Sequence, residues 1–163
     1  MDDKDVDWAR TMGNPAFKER FNAEVMDKLA MVKIATRISP AIATPLGFYK
    51  NRSGFLSEVT TYYEGENAEN YKDPARSAHL TPEQEQYIRE QRALISSYGL
   101  IPSGDMISPH NIIVTGPTRE DIVFIEPEFE SFDPTAVLED NTISKEFEVV
   151  WNRFSTRAVG SQK

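Results

Sequence analysis

The sequence contains no cysteine and two histidines, His79 and His110. That excludes disulfide staples, a thiolate nucleophile and cysteine-ligated zinc, and two histidines are too few to build a histidine metal centre. Any metal would be a hard cation held by oxygen. Long apolar runs are missing too, since none approaches the roughly 20 residues that span a bilayer. The opening Met1-Asp2-Asp3-Lys4-Asp5 is not the basic start of a secretory signal, so a cytosolic location and no membrane contact are expected. Basic charge is short as well: 18 lysines and arginines face 26 aspartates and glutamates, for a net charge of −8. Nucleic-acid binding needs a basic footprint to displace counterions from phosphates, so this balance works against it. Basic and acidic residues are interleaved through much of the chain, which points to a solvated surface rather than a DNA mimic.

What is present is an ordinary globular composition, 39% hydrophobic and 27% charged over 163 residues, enough for one domain with a core. Residues 1–13 are polar and acidic without period and read as a flexible leader; residues 14–163 read as the single domain. Asn14-Pro15 is a cap followed by proline at a first helical position. From there Phe17, Phe21, Val25 and Leu29 recur every four residues, with Lys18, Glu19, Arg20, Asp27 and Lys28 between them. The spacing predicts an amphipathic helix that ends near Ile38, because Ser39-Pro40 cannot continue it. Leu46 to Lys50 and Phe55 to Tyr63 are β-prone runs around the turn Asn51-Arg52-Ser53-Gly54 and read as a hairpin. Glu64 to His79 is polar, carries Gly65 and Pro74, and reads as a long surface loop.

Thr81-Pro82-Glu83-Gln84 is a helix start with a capping box, Ile88, Leu94, Ile95 and Tyr98 supply its buried side, and Gly99 offers a left-handed stop. After a short loop, Asn111 to Thr115 and Ile122 to Glu126 form a second strand pair around Gly116-Pro117-Thr118-Arg119-Glu120. Phe147, Val150, Trp151 and Phe154 mark a last helix. The fold class is therefore α+β, with three main helices and small antiparallel hairpins.

The segment Gly104-Asp105-Met106-Ile107-Ser108-Pro109-His110-Asn111-Ile112 places a polar loop ahead of a strand pair, and Ile125-Glu126-Pro127-Glu128 places carboxylates at the end of that pair. This order resembles the catalytic loop and metal-binding segment of protein kinases, and most closely the YrbL family of PhoP regulatory network proteins. The matching residues are Pro109, Asn111 and Ile112, with Glu126 at the acidic position. The helix at 15–38 is similar to kinase helix C, the hairpin at 46–63 to strands four and five, the helix at 82–98 to helix E, and Val150 to Phe154 to an aromatic-basic helix near the family's end. The resemblance implies a truncated kinase-like fold in which Asn111 and Glu126 hold magnesium and ATP. It also implies that Tyr62 and Tyr63 stand at the start of the hinge, one inward and one outward, the outward ring free to stack on an adenine or a partner.

The departures are chemical. Five positions before Asn111, where a kinase carries its catalytic aspartate, stands Met106; Asp105, one residue earlier, is the remaining candidate base. Glu126 replaces the metal-binding aspartate. No Gly-rich loop and no strand bearing a phosphate-anchoring lysine precede the first helix, so Glu24 has no lysine to pair with and reads as an exposed helix carboxylate. Phosphoryl transfer rests on positioning and charge neutralisation, and half of the usual clamp is missing unless a partner supplies it in trans.

Each residue also has a plainer role. Asn111 could hold the loop through its amide, His110 could bond backbone groups only, and Glu126, Glu128 and Glu130, alternating on one face, could simply be solvated. Three functional readings follow. One is a catalytically impaired, pseudokinase-type protein that regulates by binding a nucleotide or a protein partner. Another is an active, atypical magnesium-dependent phosphotransferase using Asp105. The last is a small acidic interaction or inhibitor protein of host-directed or phage type.

Overall fold

A computed structural model describes residues 13–136, 138 and 141–161. The expected leader, apart from Gly13, lies outside the described residues. Helix α1 spans Pro15–Thr36, helix α2 Pro82–Ser97 and helix α3 Thr142–Ser161; among the described residues seven short strands lie between them, β1 at Pro45–Lys50, β2 at Leu56–Thr60, β3 at Glu66–Asn67, β4 at Leu100–Pro102, β5 at Ile112–Val114, β6 at Ile122–Phe124 and β7 at Phe129–Phe132. They form three small sheets, β1-β2, β3-β5-β6 and β4-β7, and every strand pair is antiparallel. The α+β expectation of three helices with small antiparallel sheets holds. Among the described residues, no helix is long and apolar enough to cross a membrane.

Helix α1 starts as its sequence dictates: the Asn14 side chain accepts the Ala16 N–H at 2.9 Å, with proline in the first turn. Its apolar stripe divides in two. Phe17 and Phe21 pack with Phe55 from the hairpin, at centroid distances of 6.3 and 5.3 Å, and Phe21 stays 37% exposed. In the second half Met31, Val32, Ile34 and Ala35 enter the main core, and Leu29 is buried as well. Asp27, expected on the polar side, is instead buried and paired with Arg157 and, at 3.8 Å, Arg153 of α3. The pair joins two helices that meet across the core, and Arg157 also donates to the Ala23 carbonyl.

The β1-β2 hairpin hangs on Asn22, whose amide donates to the Gly54 carbonyl and accepts the Leu56 N–H, both at 2.9 Å. Helix α2 has the expected capping box, Thr81 and Gln84 bonding reciprocally at 3.1 Å. Gln84 does more than cap. It is buried, and its Nε2 donates to the Gly116 and Thr118 carbonyls at 3.0 Å, so one amide ties the start of α2 to the β5-β6 turn. Gln84→Ala is expected to cost about 2 kcal/mol in urea unfolding, against less than about 0.5 for the exposed neighbour Gln86→Ala. On the buried side of α2, Ile95 is buried and Ile88 and Tyr98 pack on the core as expected, but Leu94 is 39% exposed and Tyr87 is buried in its stead.

Gly99 ends α2 with φ +87°, and a Cβ there would sit 2.2 Å from the Asp133 carbonyl oxygen. The next residues are not loop but β4, which pairs with β7 in the register Leu100 with Phe132. Similarly, the segment 64–79 is not all loop, because Glu66–Asn67 adds β3 to the edge of β5 and Pro74–Arg76 forms a 3-10 turn. The chain leaving α1 runs beside β6, with the Phe124 N–H donating to the Ala41 carbonyl at 2.8 Å and the Ala43 N–H to the Phe124 carbonyl at 3.1 Å. Phe124 is thereby locked at the centre, fully buried.

Candidate functional site

The site grows from the loop between β4 and β5. Met106 is fully buried in the main core and its N–H donates to Ser103 Oγ at 3.1 Å. With Met106 turned inward, Asp105 is left outside and exposed. The loop is closed by short-range bonds: Ser108 Oγ donates to the Gly104 carbonyl at 2.9 Å, and the Asn111 N–H to the Ser108 carbonyl at 2.8 Å. Asn111, 7% exposed, then reaches back with Nδ2 to the Asp105 carbonyl at 2.7 Å. The plain role foreseen for this asparagine, holding its loop through the amide, is therefore filled.

One amide has two ends. Among the described residues no hydrogen bond reaches Asn111 Oδ1, and no buried side-chain oxygen is left unsatisfied, so that oxygen is not fully enclosed although the residue is buried. The backbone brings Glu126 alongside, because the Ile125 N–H donates to the Asn111 carbonyl at 3.1 Å. Asn111 and Glu126 line one cavity of about 240 Å³, shared with Asn67, Tyr71, Lys72 and His110. His110 stands edge-on to Tyr71 at 5.6 Å, and its carbonyl accepts from Asn67 Nδ2, which fixes the cavity floor.

Glu126 also borders a second cavity of about 330 Å³ between α1, the hairpin and residues 125–128, whose wall includes Lys28, Glu58, Thr60 and Glu128. The two cavities share Ile125 and Glu126. Glu126 sits at a bend and Glu130 in β7; Glu126, Glu128 and Glu130 are all exposed while Pro127 and Phe129 are buried between them. The expected alternation holds, though a single continuous strand does not carry it.

The other expected site residues are placed elsewhere. Asp105 lends its carbonyl to Asn111, but its carboxylate makes no hydrogen bond or ion pair among the described residues and does not line either cavity. Tyr62 and Tyr63 divide outward and inward as expected: Tyr62 is 86% exposed, and the Tyr63 hydroxyl accepts the Thr44 N–H at 2.9 Å. Neither lines either cavity, because Thr60 is the last residue of the hairpin and the chain beyond it turns aside to bond Thr44. Glu24 is half-buried rather than exposed. Lys28, Glu58 and Lys72 were missed as cavity residues. Lys28 had a legible signal, since it borders the buried Leu29 on a helix whose stripe was already assigned; Lys72 had none.

Among the described residues no cluster of three or more histidines, aspartates or glutamates could cage a metal. A magnesium ion does not need one, because it keeps waters or phosphate oxygens and takes one or two protein oxygens. Asn111 and Glu126, which line one cavity, carry side-chain oxygens of that hard kind. A proton acceptor for a substrate hydroxyl is a different matter, because the Asp105 carboxylate is outside the cavity. Compared with models of protein families, with curated proteins and with solved structures, the chain matches none.

Proposed function

We propose that this chain is a kinase-like, catalytically impaired regulatory protein of the cytosol that binds a magnesium nucleotide at the two cavities flanking Glu126. The observation that carries the reading is the meeting of Asn111 and Glu126 on one cavity, joined by the Ile125 to Asn111 backbone bond. The order of elements supports it: a long helix, a hairpin, a second helix, then a loop and strand pair that end in the acidic segment. The impairment follows from chemistry. Asn111 and Glu126 offer oxygens to a cation, but the residue five before Asn111 is a buried methionine, and phosphoryl transfer without a positioned base is slow.

Thermal unfolding with ATP and magnesium tests this. A ligand at a hundred times its Kd adds about 2.7 kcal/mol of stability, which raises the melting temperature of a chain this size by about 5–10 °C. Glu126→Gln is expected to remove that shift while leaving the unliganded melting temperature within about 1 °C, because Glu126 is exposed. Asn111→Ala should remove it too, with a loss of stability from the freed Asp105 carbonyl. No shift at millimolar ATP and magnesium would end the nucleotide reading.

A second reading, regulation through a protein partner, is favoured by a different observation. Leu46, Tyr49 and Tyr62 are 64, 61 and 86% exposed on and just after the hairpin, large apolar groups of the kind that interfaces use. It predicts a stoichiometric partner whose capture is lost in Tyr49→Ser together with Tyr62→Ser. The phosphotransferase reading would require transfer that disappears in Asp105→Asn, and the outward position of that carboxylate does not favour it.

A further inference from the structure

We infer that Lys28 is the residue that holds the phosphates of the nucleotide; this rests on the nucleotide reading above and assigns it an anchor from helix α1. Lys28 is set between two fixed neighbours. Asp27 is buried and tied to α3, and Leu29 is 3% exposed in the core, so the backbone at 28 has no freedom to turn. Its own side chain is half-buried and lines the 330 Å³ cavity, together with a smaller one beside Phe154 and Glu128.

The charge around it is unusual. Glu58, Glu126 and Glu128 share the cavity wall, yet Lys28 makes no ion pair or hydrogen bond with any of them among the described residues. A bare anion in this cavity would meet three carboxylates, and a bare cation would meet the ammonium. The occupant that satisfies both signs carries both: phosphate oxygens against Lys28 and a divalent cation against Glu126. Lysine is suited to that task as a compact charge with three rotatable donors, and its attachment to a packed helix lowers the entropy lost on binding. Lys72, which lines the other cavity, is an exposed loop residue whose ammonium lies over the Tyr71 ring at 5.9 Å, and its loop offers no such fixed base.

Calorimetric titration of the full chain with magnesium ATP and with adenosine decides the matter, using Lys28→Met, Lys28→Arg and Lys72→Met. Wild type should bind magnesium ATP more than tenfold tighter than adenosine. Lys28→Met is expected to weaken magnesium ATP by about tenfold or more and leave adenosine unchanged, since one charge-assisted contact is lost. Lys28→Arg should stay within about threefold and Lys72→Met should match wild type. If Lys28→Met binds magnesium ATP like wild type while Glu126→Gln does not, the anchor assignment falls and the nucleotide reading stands. Loss in Lys72→Met alone, or equal wild-type affinity for ATP and adenosine, overturns the assignment as well. Absence of any nucleotide binding by wild type removes both.

Discussion

Met106→Asp is expected to destabilise the protein by about 4 kcal/mol or more, a fall of about 10 °C in melting temperature, and to create no phosphate transfer. In the kinase comparison this substitution restores the missing aspartate to its place, so sequence grounds alone would favour activity. The structure opposes that outcome. Met106 has no exposed surface and belongs to the same core as Phe124, Ile112 and Leu100. A carboxylate there would have neither water nor a cationic partner. Its pKa would rise well above the ordinary aspartate value, because burial disfavours the charged form. A group whose folded-state pKa is raised gives its full stability below the unfolded pKa and loses it as pH rises. The deficit relative to wild type should therefore be smaller near pH 4 than at pH 7. Met106→Leu, which conserves volume, should stay within about 1.5 kcal/mol. Urea unfolding of the three proteins at both pH values checks the set. A Met106→Asp protein as stable as wild type would mean that the loop presents position 106 to solvent, and the impairment drawn from it would be withdrawn.

Phe147→Ala is the second large effect, at about 4 kcal/mol. Phe147 is fully buried on α3, edge-on to Phe129 at 5.8 Å and stacked with Phe132 at 6.2 Å. Truncation leaves a cavity that cannot collapse, because its walls are a helix and a strand pinned from opposite directions. β7 is held by β4, and α3 is held to α1 by the Asp27 cluster and to Tyr98 by a hydrogen bond from Ser144 to its carbonyl at 3.0 Å. A double-mutant cycle of Phe147→Leu with Phe129→Leu should show a coupling of about 0.5–1.5 kcal/mol. Independence of the two sites, read from urea midpoints, would contradict the ring contact.

The parts of the fold legible in the sequence are those whose signals are local. Asn14-Pro15 and Thr81-Pro82-Glu83-Gln84 announced their helices because caps are satisfied within four residues, and the structure has both sets of bonds. Strands β3 and β4 escaped notice for the opposite reason. Two residues of Glu66–Asn67 and three of Leu100–Pro102 are too short to show a period, one ends in proline, and each exists only because a distant strand offers it partners. Side-chain direction failed where pairing is long-range. Asp27 looked like a surface carboxylate since nothing near it in sequence reveals Arg157, and Gln84 looked like a cap only. At the site, Asn111 and Glu126 were readable because their loop and strand pair form from adjacent chain. The outward and inward split of Tyr62 and Tyr63 was readable from strand alternation, but their place away from both cavities was not, since it depends on how the hairpin end turns toward Thr44. Asp105 was not, since its direction is set by the packing of the residue after it.

The bond between Asp27 and Arg157 spans 130 positions of the chain. During synthesis at about 5–20 residues per second, α1 emerges on the order of ten seconds before the arginine that neutralises its inward carboxylate. For that interval the nascent helix carries an unpaired carboxylate on the face that packs, which disfavours its early docking. Closure of the core around Asp27 is thereby expected to follow the appearance of α3 instead of proceeding in order from the first helix.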